Sequence, residues 1–343
     1  MLFHSLLSLS PLSVTTVLLT LAVAFVNGLT DAPNAISTVV VTRCRKLRSA
    51  LVMSAVFNFF GVALMSKIND SVTVTISNIV DFGGDTKKAA IALAAALFSI
   101  VLWAVLAWYF GIPTSESHAL IAGLTGSAVA INGGFDAINS AEWMKTVKGL
   151  FVSCFLGFVA GFLICKIIVT IFRNIKRSNG ERIFKYGQIL AAASMSFMHG
   201  AQDGQKFIAV LMMSVNFSGI KAEEKPNEFI ILLCSVIMAL GTLTGGKKII
   251  KSVGMDMVKL QKYQGFSADT ASSVSLLLST LFGFPVSTTH AKTTAMMGAG
   301  AAKNKRSLNT AVVKDIILTW VLTFPCCGAL GFFVTKIFLK ILL

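Results

Sequence analysis

Residues 25–43 read FVNGLTDAPNAISTVVVTR and follow the apolar run VTTVLLTLAVA, so this polar stretch is expected to lie at membrane depth. An ionised carboxylate such as Asp31 is costly there unless it is paired or faces a water-filled cavity. Pro33 cannot continue the helical hydrogen bonding behind Asp31, and Gly28 loosens the turn before it. The stretch therefore predicts a helix interrupted at Asp31. The alternative is that Asp31 only caps the following half-helix.

The composition is that of a polytopic membrane protein. Of the 343 residues, 55% are hydrophobic and 13% are charged, whereas soluble domains carry about 25% charged residues. The first apolar run, 12–26, has neither a basic leader nor a cleavage site, so we expect it to be a retained span. The net charge of +15 lies mostly in short loops between apolar runs, which indicates cytoplasmic loops rather than nucleic acid binding.

The sequence contains two copies of one unit. The matching segments are NGLTDAPN at 27–34 with HGAQDGQK at 199–206, and GIPTSESHA at 111–119 with GFPVSTTHA at 283–291. Both pairs share an offset of 172 residues. Because two motifs share this offset, the sequence predicts an internal duplication, with one repeat at 1–172 and the other at 173–343.

The loop charges predict that the two repeats are inverted. The basic loops hold 17 Lys and Arg against two acids, at 43–48, 173–185, 246–262 and 303–306. The other polar loops hold seven Lys and Arg against eight acids, at 67–88, 132–148 and 214–228. If the basic loops are cytoplasmic, each half crosses the membrane an odd number of times and both termini lie outside. Inverted repeats of this kind form many secondary transporters.

We therefore expect an all-α polytopic membrane protein with about ten spans. The apolar runs lie near 12–42, 49–66, 89–110, 113–131, 149–172, 186–213, 229–245, 268–283, 285–302 and 311–343. Segments 113–131 and 285–302 are rich in Gly, Ser, Thr and Ala. Each of these two is expected to be a re-entrant hairpin or a broken helix rather than a regular span.

Hydroxyl side chains follow a proline in the second motif pair. Proline is well placed in the first turn of a helix, where hydroxyls and free amides bind anions with help from the helix dipole. The hydroxyl residues are Ser115 and Ser117 in one copy, and Ser287, Thr288 and Thr289 in the other. They predict a site for a tetrahedral oxyanion, the alternative being ordinary helix capping. His118 and His290 follow as hydrogen-bond partners or proton carriers, with structural support favoured.

Three charges break the predicted symmetry. Lys206 stands where the first repeat has Asn34, and its ammonium is expected to pair with Asp203 at i,i+3, in a volume that a metal ion would otherwise fill. Glu116 stands where the second repeat has Thr288 and is a candidate titrating group. For Lys206 and Glu116 the alternative is a static charge network. For Lys292 we favour a static charge network or an end-of-helix lysine that reaches the membrane surface.

These motifs resemble those of the inorganic phosphate transporter (Pit) family, and in particular its bacterial branch. NGLTDAPNAIST resembles the family pattern NGxxDxxNAxxT, HGAQDGQK resembles HGxxDxQxA, and PTSESHA and PVSTTHA resemble P-x-S-x-x-H-A. The resemblance covers almost the whole chain. It implies secondary active symport of phosphate with sodium or protons, inverted repeats, two hairpins and outward-facing termini.

The resemblance also implies two ligand sets. The coupling cation would be held by Asp31, Asn34 and Asp203, with Thr30, Gln202 and the backbone around Asn27 and His199. Phosphate would be held by Ser115, Ser117, Ser287, Thr288 and Thr289, with Asn27 and Gln205 nearby. Lys206 replaces the Asn usual in sodium-dependent members, which favours proton coupling, with a metal–phosphate complex as a further candidate for the carried species.

Other functions remain open from the sequence. A sulfate permease on the same scaffold is the nearest alternative, because sulfate is also tetrahedral. An anion channel has no need for paired intramembrane aspartates, and a membrane enzyme would need an acid–base–nucleophile set that does not stand out. The expectation is thus a non-enzymatic phosphate symporter of the plasma membrane. It needs no cofactor or structural metal, its partners are phosphate, a coupling cation and lipid, and its homo-oligomeric state is left open.

Overall fold

The helices of the chain form a bundle around a polar centre. A computed structural model describes residues 10–110, 114–219, 225–245, 250, 257–303 and 308–343. The helices described are α1 Pro11–Thr30, α2 Ala32–Val41, α3 Leu47–Ile68, α4 Ser71–Ser77, α5 Thr86–Phe110, α6 Glu116–Asn132, α7 Ser140–Ile171, α8 Arg177–Asn216, α9 Glu228–Thr244, α10 Lys262–Leu281, α11 Thr288–Lys303 and α12 Thr310–Leu342. Several sequence features lie outside the described residues, namely the amino terminus, Pro113, part of the loop 214–228 and much of the basic loops 246–262 and 303–306.

The predicted interruption at Asp31 is present. Helix α1 ends at Thr30 and α2 begins at Ala32, with Pro33 in the first turn of α2. Proline lacks the amide that would continue the helical ladder. The second copy differs, because α8 runs without a break through Asp203. Gln205 stands 172 residues after Pro33 and supplies the amide that proline lacks, which explains the difference.

Gly28 has another role than the one expected from the sequence. It lies inside α1 and does not loosen a turn. A Cβ atom at Gly28 would lie 2.3 Å from the carbonyl oxygen of Met238 in α9, so only glycine allows the two backbones to approach this closely. Gly200 in α8 has the same relation to Asn58 in α3, at 2.2 Å.

Helices from the first half of the chain pack against helices from the second half. Helix α6 packs on α12 and α11 packs on α7, while α1 packs on α9 and α8 packs on α3. The largest buried apolar cluster joins α1, α5, α6, α8 and α9. Helices α6 and α11 have 17 and 16 residues, so each is about 25 Å long, shorter than the roughly 30 Å hydrocarbon core. Both sit inside the bundle and start at its polar centre.

The outer surface of the bundle is apolar. Large side chains such as Phe151, Phe155 and Ile171 on α7 are about two-thirds exposed, as expected for a surface in contact with lipid tails. Within the described ranges, five helical segments are long and apolar enough to cross a membrane, at Pro11–Val41, Leu47–Ile68, Thr86–Phe110, Ser140–Ile171 and Thr310–Leu342. The chain is thus a multi-pass membrane protein, and the expected total of about ten spans stays a prediction.

Candidate functional site

Two helix N-termini meet at the centre of the bundle. Ser115 caps α6 by accepting a hydrogen bond from the amide of His118 at 3.3 Å. Ser287 directly precedes α11 and accepts from the amide of His290 at 3.3 Å. The two serines also contact each other, since Ser115 Oγ donates to Ser287 Oγ at 2.8 Å. The positive ends of two helix dipoles therefore point at one place, which is an arrangement suited to an anion.

The carboxylate of Asp31 faces this place. Its Oδ1 accepts a hydrogen bond from Thr289 Oγ1 at 2.9 Å, and Asn27 Nδ2 lies 3.5 Å from its Oδ2. Among the described residues, the side chain makes no capping hydrogen bond to the amides of α2. Capping of the half-helix, the alternative considered from the sequence, is thus not the role of this carboxylate in the structure.

Asp203 lies beside Asp31 and has more partners. Lys206 Nζ donates to its Oδ1 at 2.6 Å, as the i,i+3 spacing predicted. Its Oδ2 accepts from Thr288 Oγ1 at 3.0 Å and from Asn27 Nδ2 at 3.3 Å. Asn27 therefore bridges the two aspartates, one from each half of the chain.

His199 completes a group that is able to hold a cation. One ligand atom each from Asp31, His199 and Asp203 lies within 4.8 Å of the others, and all three residues are buried. Asn58 donates through Nδ2 to Thr242 Oγ1, so its Oδ1 faces His199 Nδ1 at 3.1 Å and accepts a hydrogen bond from the N–H of that nitrogen. In the neutral ring this leaves a lone pair on Nε2, which lies 3.3 Å from an oxygen of Asp203. A cation between them would satisfy both atoms.

Lys206 connects the aspartates to the hydroxyl motif. Its ammonium donates to Ser117 Oγ at 2.5 Å and to the carbonyl of Val286 at 2.6 Å, in addition to Asp203. All three of its protons are therefore used. The corresponding residue of the first half, Asn34, donates to Thr289 Oγ1 at 3.1 Å.

Glu116 is the third buried acid of the centre. Its Oε1 accepts a hydrogen bond from Thr30 Oγ1 at 3.2 Å. In the part of the chain that the structure describes, its Oε2 has no hydrogen-bond partner. A buried charged oxygen without a partner is costly, and a proton on this carboxyl would remove the charge.

His118 and His290 are packed against aromatic rings. Their ring centroids lie 4.3 Å apart in an edge-to-face arrangement. His118 also contacts the ring of Phe324 at 4.3 Å, and His290 stacks on Trp320 at 3.6 Å. These contacts favour the supporting role over proton transfer.

Gln202 and Gln205 hold neighbouring backbone. Gln202 Nε2 donates to the carbonyl of Phe284 at 2.7 Å, which fixes the loop before α11. Gln205 Oε1 accepts from the amide of Val72 at 3.2 Å, at the start of α4, a short helix within the expected polar loop 67–88. The two glutamines thus position the loop before α11 and the start of α4, and a direct ligand role for either residue stays a prediction.

Asp269 is a buried charge that sequence reasoning missed. It lies on α10, fully buried, and pairs with Lys292 on α11. Lys292 is therefore in a static charge network and does not reach the membrane surface. Its position in the sequence was a usable signal, because Asp269 lies within the predicted apolar run 268–283 and its equivalent in the first repeat is Leu97.

Fold and site together define a helical multi-pass membrane protein with a polar, ionisable centre. A model of the phosphate transporter family matches residues 27–331. The "probable low-affinity inorganic phosphate transporter" of Bacillus subtilis is 34% identical over 93% of this chain and 95% of its own length, and that of Rhizobium meliloti is 34% identical over 94% and 95%. The solved structure of "the sodium-dependent phosphate transporter" superposes with a TM-score of 0.86 over 97% of this chain and 100% of the other, at 22% identity. This chain belongs to the phosphate transporter family.

Proposed function

We propose that the protein imports inorganic phosphate across the plasma membrane by secondary active transport, coupled to protons or sodium. The observation that carries this proposal is the contact between Ser115 and Ser287, at 2.8 Å. It joins two helix N-termini within reach of the buried carboxylates of Asp31 and Asp203. The named phosphate transporters of Bacillus and Rhizobium support the same substrate.

The phosphate oxygens would be held by the hydroxyls and free amides at the starts of α6 and α11. Three of these hydroxyls are already engaged with charged groups: Ser117 with Lys206, Thr288 with Asp203 and Thr289 with Asp31. An arriving anion would compete for the same hydroxyls. The charge state of the aspartates would then influence phosphate affinity, which is the linkage that a symporter requires.

The coupling ion would bind at Asp31, His199 and Asp203. Lys206 already supplies one positive charge to Asp203, which leaves Asp31 as the carboxylate with more capacity for a further cation. A fixed ammonium beside a second carboxylate favours a proton over sodium. The sodium dependence of the structurally similar transporter belongs to that protein, so sodium is kept as the competing outcome, as is a metal–phosphate complex as the carried species.

We also propose that the chain is an inverted duplication, 1–172 and 173–343, with two hairpins and both termini outside. The packing between the two halves supports this, because α6 on α12 corresponds to α11 on α7 under the 172-residue offset. The contact of Lys206 with Ser117 likewise corresponds to that of Asn34 with Thr289.

The test is uptake of radiolabelled phosphate into proteoliposomes under either an imposed proton gradient or an imposed sodium gradient. We expect proton-driven accumulation that Asp31→Asn abolishes and that the exposed control Asp85→Asn leaves intact. Accumulation only with sodium would contradict proton coupling. Equilibration without accumulation would contradict symport and indicate a channel.

A sulfate permease is the second candidate function, and Glu116 separates it from phosphate transport. Phosphate carries protons near neutral pH and sulfate does not. Glu116 Oε2, which has no hydrogen-bond partner among the described residues, is able to accept a hydrogen bond from such a proton and therefore favours phosphate. We expect unlabelled sulfate to compete poorly with phosphate in the wild type and better in Glu116→Gln. If Glu116→Gln keeps the wild-type preference for phosphate over sulfate, the proposed role of Glu116 is contradicted. If labelled sulfate accumulates and phosphate does not, the transported substrate is sulfate rather than phosphate.

A further inference from the structure

Lys292 lies in a second polar cluster, one helical turn beyond the centre along α2. Its ammonium contacts a carboxylate oxygen of Asp269, the hydroxyl of Thr38 at 3.2 Å and the main-chain carbonyl of Ala35 at 3.3 Å. Thr38 in turn donates to the Asp269 carboxylate at 2.8 Å. All four residues are fully or almost fully buried. The cluster joins α2, α10 and α11 by their polar atoms.

Three oxygens of the same chemical kinds surround the other buried ammonium. Lys206 contacts a carboxylate oxygen of Asp203, the hydroxyl of Ser117 and the carbonyl of Val286. The two lysines are not equivalent under the 172-residue offset, since residues 34 and 120 are Asn and Leu. The same oxygen set has therefore formed twice at independent positions.

We propose that Asp269, Thr38 and the carbonyl of Ala35 form a monovalent-cation site that is separate from the central cluster, and that the ammonium of Lys292 occupies it as a tethered cation. One carboxylate, one hydroxyl and one carbonyl are hard oxygen ligands of the kind that alkali and alkaline-earth cations take. A lysine ammonium is a compact point charge with three donors, so it replaces such an ion with the same oxygens as partners.

The tethered cation has a consequence for α2. This half-helix begins directly after Asp31, and the ammonium holds it against α10 and α11 without help from solution. Because the charge is covalently attached, no free ion needs to enter this cluster during a transport cycle. Dependence on a dissolved cation is then confined to the central group of Asp31, His199 and Asp203.

The experiment measures cation-dependent stability of the full-length purified protein without phosphate. Thermal unfolding is compared in sodium, potassium and choline chloride at equal ionic strength, for the wild type and Lys292→Met. Methionine is unbranched and one atom shorter than lysine, so it keeps most of the side chain and removes the charged group. For Lys292→Met we expect Tm to be higher in sodium or potassium than in choline, and this difference should exceed that of the wild type by at least about 2 °C. The reason is that an ion that binds only the folded state stabilises it.

Three further variants locate the response. Asp269→Asn combined with Lys292→Met removes the carboxylate and is expected to lose the gain. Asp31→Asn combined with Lys292→Met keeps Asp269, Thr38 and Ala35 and is expected to retain the gain in Tm. Lys303→Met removes an exposed charge of the same helix and is expected to behave as the wild type.

A response of Lys292→Met equal to that of the wild type would overturn the proposal. If Lys292→Met is unfolded in choline, the proposal requires that sodium or potassium restores a monodisperse protein. If Lys292→Met is unfolded in every salt while Asp269→Asn/Lys292→Met is folded, the proposal is also overturned. The measurement contains no phosphate and no transport step, so it stands or fails independently of the proposed function.

Discussion

Ser115 and Ser287 lie 172 residues apart and share one hydrogen bond of 2.8 Å, in which Ser115 donates. Each serine also accepts from the amide three residues ahead, at the start of its own helix. One small contact thus joins the first turns of α6 and α11 and directs both dipoles at the same volume. The position of the proposed anion site depends on these two side chains.

The first prediction concerns this serine pair. Ser115→Ala and Ser287→Ala should each lower thermal stability by about 1 kcal/mol, the usual cost of a lost N-cap. Each should also raise the KM for phosphate about tenfold or more, which corresponds to one hydrogen bond of about 1.5 kcal/mol to a charged group. The stability losses of the two substitutions should sum to less than full additivity, because each removes its own cap but both remove the one bond between the serines.

The control for the serine pair is Ser194→Ala on α8. Its hydroxyl is exposed and donates to the carbonyl of Leu190 in its own helix, so uptake and Tm should stay unchanged. Full additivity of the two motif substitutions would show that the serines act independently.

The second prediction compares a buried ion pair with an exposed one. Lys206→Met leaves the buried carboxylate of Asp203 without its ammonium, and removal of one member of such a pair costs about 3–5 kcal/mol. The double variant Asp203→Asn/Lys206→Met should recover part of the loss. Lys67 pairs with Glu228 at 2.7 Å on the surface, with side chains 54% and 84% exposed, so Lys67→Met should leave Tm unchanged. Equal effects of Lys206→Met and Lys67→Met would contradict the buried geometry.

The local chemistry of the site could be read from the sequence, because a carboxylate and a proline inside an apolar run have few structural solutions. The break at Asp31 and the pairing of Lys206 with Asp203 follow from spacing alone. The continuity of α8 through the second motif copy was equally readable, since Gln205 replaces Pro33.

Contacts between distant helices could not be read in this way. The approach of Gly28 to Met238 joins residues 210 positions apart, and a sequence pattern does not encode which helix packs on which. Asp269 escaped notice for the same reason, because its significance comes from Lys292 and Thr38 on two other helices. The engagement of Gln205 with α4 likewise depends on a short helix placed within a polar loop.

The third prediction concerns the helix break. Pro33→Ala supplies the missing amide, so α1 and α2 are expected to join into one helix and to carry the Asp31 carboxylate away from Thr289. Uptake of phosphate should fall by at least about tenfold, while Tm should change little, because Pro33 lies in the first turn of α2, where proline is tolerated. Pro325→Ala in α12 is the matched control, and it should keep most of the uptake. Normal uptake by Pro33→Ala would show that the break is dispensable.

The fourth prediction tests the close approach of the motif helices. In Gly28→Ala the new Cβ would lie 2.3 Å from the carbonyl oxygen of Met238, a backbone atom that cannot rotate away, so α9 must shift. Overpacking of this kind costs about 1–3 kcal/mol. Gly200→Ala should be equally damaging, because its Cβ would meet the carbonyl of Asn58 at 2.2 Å. In Gly84→Ala the new Cβ would meet no atom of the described residues within 4 Å beyond its chain neighbours, and the backbone there is unstrained, so Tm should stay unchanged.

The comparison of these variants separates packing from chemistry. Gly28 and Gly200 precede Asp31 and Asp203 by one helical turn, so a shift of α9 or α3 would also move the carboxylates. Gly28→Ala and Gly200→Ala should therefore lower phosphate uptake as well as Tm, to a similar extent in both. A loss of stability in only one of the two would contradict the equivalence of the two contacts, and with it the proposed duplication as the reason for both glycines.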